Sequence, residues 1–167
     1  MKRMTRGFSL IEVMVAVLVM SLGLLGVAST LIVAMHSAGS NYLRQQAVQY
    51  SYDIADRMRS NFNTANDPSA ANPYITALTA PAASAPNPDC TATTCNPTQM
   101  AAYDVWQWKT LLKNNLPGGL GAVAVTAGPL ANVNQVTVTV KWSDQPAQAT
   151  FNPTGSSSSS LVVVTAL

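Results

Sequence analysis

The chain has 167 residues, 48% of them hydrophobic and 10% charged, enough for one modest domain and one membrane helix. Its net charge is +2, but three of the nine basic residues, Lys2, Arg3 and Arg6, precede everything else, and the other six face seven acidic ones. That balance argues against nucleic acid as a partner, since such proteins carry a basic patch or stripe. Two cysteines and one distant histidine, His36, do not make a metal site, and no cofactor is expected.

After the three basic residues an apolar run extends to about Met35. A helix over Phe8–Met35 has about 28 residues and reaches about 40 Å, more than the ~30 Å hydrocarbon core of a bilayer. One charge sits inside the run, at Glu12, the only glutamate in the chain. A carboxylate there costs roughly 2–3 kcal/mol or more unless something pairs with it. Gly23, Gly26 and Gly39 soften the helix and allow close approach of another helix in lipid.

The stretch Gly7-Phe8-Ser9-Leu10-Ile11-Glu12 resembles the cleavage and assembly motif of the type IV pilin and type II pseudopilin superfamily, the N-methylphenylalanine prepilins. Carried over by position, the resemblance implies prepilin cleavage between Gly7 and Phe8, N-methylation of Phe8, and an assembly role for Glu12, the fifth residue of the mature chain. It implies a prepilin peptidase as a partner, residues 1–7 as leader and residues 8–35 as the transmembrane and assembly helix. Many major pilins carry a proline in this helix; this chain has none before Pro68, and the Gly23–Gly26 segment is the substitute point for loosening. An ordinary secretory signal, cut after Gly26-Val27-Ala28, is a competing reading. The apolar stretch before that site is about 20 residues, longer than the usual ~7–15, and a glutamate in it serves no purpose there. A plain membrane anchor is a second.

Positive charge stays cytoplasmic. The expectation is therefore a single-pass inner-membrane protein with residues 36–167 as a periplasmic domain and His36 at the boundary. That compartment permits disulfides, and Cys90 and Cys95 are expected to bond rather than remain free thiols. Leu43, Ala47, Tyr50, Ile54, Met58 and Phe62 recur at spacings of three and four, one apolar stripe on a helix that continues to about Phe62. Asp53 and Asp56 lie close enough to Arg57 and Arg59 for surface pairs.

From Thr64 to Pro97, prolines with Ala, Asn, Ser and Thr predict a long loop, with one turn of helix near Tyr74–Leu78. The cysteine pair closes its end, ahead of the predicted sheet, so the adhesive loop near the C-terminus of major pilins does not carry over. A second helix is expected over Thr98–Asn115, capped by Thr98 and stopped by Pro117-Gly118-Gly119, with Val105, Trp108, Leu112 and Leu116 on one face. Trp106 and Trp108 could form a ligand-stacking pair, but neighbours on a helix point about 100° apart, and core packing is preferred. Lys109 and Lys113 read as a solvated face. Val136, Val138, Val140 and Trp142 alternate with polar residues as a half-buried strand. Ala122–Thr126, Ala147–Phe151 and Leu161–Ala166 are its expected companions, with Gly155 and Ser156–Ser160 as a flexible turn.

The expected fold is α+β, a long N-terminal helix packed on a small antiparallel sheet. No catalytic constellation emerges: no serine lies in a nucleophile-elbow context, and no glycine-rich loop follows a strand. Ile54–Asn61 and Trp108…Leu116-Pro117-Gly118-Gly119 resemble PilV-type minor pilins. That likeness implies a minor pilin in type IV pilus assembly, with other minor pilins, the major pilin, the inner membrane and a tip adhesin as candidate partners. The alternatives are a minor pseudopilin of a type II secretion system and a membrane-tethered binding domain that never polymerises.

Overall fold

The computed structural model describes residues 7–129, 133–144 and 158–167. The leader's basic residues, the expected strand Ala147–Phe151, the turn at Gly155–Ser157 and the side chain of His36 lie outside the described residues. In chain order the elements are α1 (Leu10–Ser60), α2 (Phe62–Ala65), β1 (Thr76–Thr79), α3 (Pro97–Asn115), β2 (Leu120–Ala127), β3 (Asn134–Ser143) and β4 (Ser158–Ala166). The chain divides after Gly39 into two compact units.

In the first unit Ser9 starts the helix: its Oγ and its carbonyl both accept the Glu12 amide, at 3.3 and 3.1 Å, satisfying one of the orphan donors of the first turn. The large apolar side chains from Leu10 to Met35 are all exposed.

The second unit builds the core. β1, β2, β3 and β4 form one antiparallel sheet in that order. The period-two reading of β3 holds, with Val136, Val138, Val140 and Trp142 on the buried face. Val123 and Val125 of β2 lie opposite Val138 and Val136 and face the same way. Over this face lie Ala47, Ile54 and Met58 of α1 and Trp108 and Leu112 of α3, joined at the edge by Leu116. The Trp108 indole N–H donates to the Tyr50 carbonyl at 2.9 Å, tying α3 to α1. Leu43 and Tyr50 are partly buried against the same core, so the α1 stripe packs as its spacing predicts.

Phe62 is the exception and stays exposed. α1 stops at Ser60; Asn61 leaves helical geometry, and α2 starts a new register in which Ala65 takes the buried place. Four other expectations are corrected. Tyr74–Leu78 is not helical: Tyr74 is fully buried and Thr76–Thr79 is strand β1, paired irregularly with β2. The disulfide therefore lies between β1 and α3, after the first strand of the sheet. The α3 cap is Asn96 rather than Thr98: its side chain accepts the Gln99 amide while the Gln99 side chain accepts the Asn96 amide, and Pro97 takes the first helical position, where its missing N–H costs nothing. Ser158–Ser160 belong to β4, paired with Ser143, Trp142 and Lys141.

The loop between α2 and β1 is held by side chains. Asn72 donates to the carbonyls of Ala65 and Asp67 and accepts the Tyr74 amide, supplying partners that a ladder would otherwise give. Gly118, at φ +62°, makes the turn that ends α3. Gly121 answers a different need: a Cβ there would collide with the Trp108 indole and Leu112 Cδ1. We expect Gly121→Val, although it adds a strand-favouring residue, to destabilise the protein by about 1–3 kcal/mol through overpacking. Urea unfolding measures this, and an unchanged midpoint would show that Trp108 is not seated on that glycine.

Candidate functional site

The predicted processing residues lie at the start of the first unit. Phe8 is 84% exposed. A Cβ at Gly7 would meet nothing within 4 Å, so nothing in the described fold itself asks for glycine there. Glu12 stands in the first turn of α1, where the helix dipole favours a negative charge. The helix contains an 18-residue stretch with mean hydropathy 2.5, none of it buried. Length and composition alone make α1 a candidate membrane span.

Two hydroxyls within this span are satisfied locally. Ser21 Oγ donates to the Leu18 carbonyl and Thr30 Oγ1 to the Val27 carbonyl, each at 2.8 Å, so neither needs a partner from outside. Glu12 differs: among the described residues its carboxylate has no hydrogen bond and no ion pair. Gly23 and Gly26 likewise have no neighbour within 4 Å of an added Cβ; they open the helix surface without serving any contact of their own unit.

Cys90 and Cys95 are bonded to each other, with Cα atoms 5.5 Å apart, as expected. They belong to the second unit, and Gly7, Phe8 and Glu12 to the first. Among the described residues no group of His, Cys, Asp or Glu could hold a metal ion.

The second unit holds a polar network that sequence reasoning missed. The expected surface pairs are present, Arg57 with Asp53 at 3.1 Å and Arg59 with Asp56 at 2.7 Å. Arg57 also reaches across to α3, donating to Asp104 at 3.2 Å and to Gln107. Asp104 accepts the Tyr74 hydroxyl on its other oxygen at 2.8 Å, and Asn61 donates to the same hydroxyl. Burial pushes the Tyr74 hydroxyl well above the ordinary tyrosine range; the Asn61 hydrogen bond works against that, and the Asp104 carboxylate adds to it. So α1, the loop before β1 and α3 meet at one carboxylate. The available signal was Asp104 itself, which falls between Ala101 and Trp108 on the buried stripe of α3. Lys109 corrects the solvated-face expectation. It is 5% exposed, and its Nζ donates to the Ala77 carbonyl and Thr79 Oγ1 at 2.8 and 3.0 Å. Trp106 corrects the other: Trp108 is core, whereas Trp106 is half-buried outside it.

The first unit presents an exposed apolar helix and the second an α+β core. Residues 31–106 match the model of the Tt1218-like family, type IV pilin Tt1218, and residues 2–28 match the prokaryotic N-terminal methylation motif. Together they support placing the chain in the type IV pilin superfamily. No curated protein and no solved structure matches the chain significantly.

The shared carboxylate yields a test. Asp104→Ala leaves the Tyr74 hydroxyl and Arg57 without their common acceptor, which we expect to destabilise the protein by about 1–3 kcal/mol. Tyr74→Phe, which removes a donor and leaves Asp104 on Arg57, is expected to cost about 1 kcal/mol. Thermal unfolding of both variants checks the order; equal, negligible losses would contradict a network role.

Proposed function

We propose that the protein is a minor pilin, nearest in kind to the PilV type, that takes part in assembling or priming a type IV pilus. The observation that carries this reading is the Glu12 carboxylate, without a partner among the described residues, in the prepilin-like motif that opens an exposed apolar helical stretch from Leu10 to Met35. In this reading residues 1–7 are a leader removed by a prepilin peptidase, Phe8 becomes the methylated first residue, and residues 8–35 hold the chain in the inner membrane before assembly. Residues 36–167 stand in the periplasm, where the Cys90–Cys95 bond persists.

The physical argument starts at the cut. Cleavage between Gly7 and Phe8 creates an amine with a reference pKa of about 8, largely protonated at neutral pH, and methylation keeps its charge. Each mature chain then carries one positive end and one carboxylate about a helical turn away. Inside an apolar bundle either charge alone is costly. A neighbouring pilin shifted along the axis sets its own N-terminal amine against Glu12, and only one register removes both unpaired charges. The glycines at 23 and 26 give the neighbouring helix room to approach. Partners in this reading are the other minor pilins and the major pilin, with a tip adhesin among the candidates; any role is structural. A type II secretion pseudopilin shares nearly the same N-terminal motif. The name of the family matching residues 31–106 favours the pilus, and deleting the gene while scoring twitching motility against exoprotein secretion separates the two.

The expected outcome for Glu12→Val is normal cleavage and membrane insertion with reduced incorporation into fibres; Glu12→Asp, one methylene shorter, is intermediate. The measurement is the amount of this protein in sheared pili normalised to its membrane pool. Equal incorporation of wild type and Glu12→Val would remove the role given to Glu12.

A further inference from the structure

Lys109 plays no part in the assembly reading. It is a buried ammonium on α3, and no carboxylate among the described residues lies within ion-pair reach of it. Two of its three donors go to the Ala77 carbonyl and Thr79 Oγ1. Burial holds its amine below the ordinary lysine range, the response of a cation that lacks a counter-charge.

Lys109 also lines a cleft of about 500 Å³ between α3 and the stretch from Thr76 to Pro86, within the size range of small-ligand sites. Trp106, one helical turn earlier, forms part of the wall. Its indole N–H donates to the Ala82 carbonyl at 3.2 Å and its ring contacts Tyr103 at 5.7 Å between centroids. Those contacts hold the ring and fasten the loop that makes the opposite wall. The hydroxyl residues Thr76, Thr79 and Ser84 line the cleft, and no acidic residue does. The cleft thus offers one uncompensated positive charge, a held aromatic body and several hydroxyls.

We propose that this cleft binds a carboxylated sugar, with the carboxylate on Lys109 Nζ, the sugar ring against Trp106, and its hydroxyls on Thr79, Ser84 and the loop carbonyls. A buried cation without a counter-charge selects an anion. One remaining ammonium donor suits a single carboxylate, and the hydroxyl-bearing walls suit a ligand with several hydroxyls.

The test titrates the full-length protein in detergent micelles by calorimetry. Glucuronate and N-acetylneuraminate are the probes. Glucose controls for a ring without the charge, and acetate for the charge without a ring. The expected result is saturable binding of at least one acidic sugar, about tenfold or more tighter than either control. Lys109→Gln should lose that preference and Lys113→Gln keep it. Because Lys109 also ties α3 to β1, Trp106→Leu is the second variant; it should weaken the acidic sugar more than acetate. Binding of acetate as tight as that of both acidic sugars, no saturable binding of either, or full binding by Lys109→Gln would overturn the proposal.

Discussion

A carboxylate on an apolar helix, with no cation paired to it among the described residues, sets the physical problem of the first unit. Among the described residues of its own unit nothing satisfies the Glu12 carboxylate: the Ser21 and Thr30 hydroxyls bond to the backbone, and the large apolar side chains from Leu10 to Met35 are exposed. Desolvating that carboxylate alone is expensive, and leaving the Leu10–Met35 surface in water is expensive as well. Both costs vanish together only if apolar surface covers the helix and a cation arrives at one height along it. The pilin reading supplies the surface from membrane and neighbouring helices, and the cation from a newly made N-terminus.

The second unit obeys a different economy. Its core is a two-layer contact in which valines of β2 and β3 meet the Ala47–Met58 stripe of α1 and the Trp108–Leu112 face of α3. Polar ties are placed where elements of distant sequence converge. Asp104 gathers Arg57 and Tyr74. Asp144 accepts the Trp142 indole and the Ser159 hydroxyl at the β3–β4 end of the sheet. Arg59 reaches Thr165 of β4. Each tie joins different elements, Arg59–Thr165 linking helix to sheet, and the disulfide closes the irregular stretch between β1 and α3.

Much of this was legible in the sequence because it is periodic. The Val136–Trp142 alternation and the Leu43–Met58 stripe each specify a face by their spacing alone, and the processing motif is a contiguous string. What was not legible depends on contacts between distant residues. Thr76–Thr79 is four residues without alternation, and only the register with Val123 and Gly121 makes it a strand. Ser158–Ser160 read as a flexible turn, yet pairing with the end of β3 extends them. Pro97 read as the end of a loop, although proline begins helices as readily as it breaks them. Asp104 and Lys109 mark helix positions where a charge falls on a buried stripe, but their partners lie 47 and 32 residues away, and no local pattern names them.

In the pilin reading the partner of Glu12 is an amine made by cutting the chain. The most direct measurement is the intact mass and N-terminal sequence of this protein recovered from sheared pili. The expected chain begins at Phe8 and carries one methyl group on its terminal nitrogen. A chain that begins at Met1, or at Ser29 after an ordinary signal-peptide cut, would contradict it, since no amine would then lie one helical turn from Glu12.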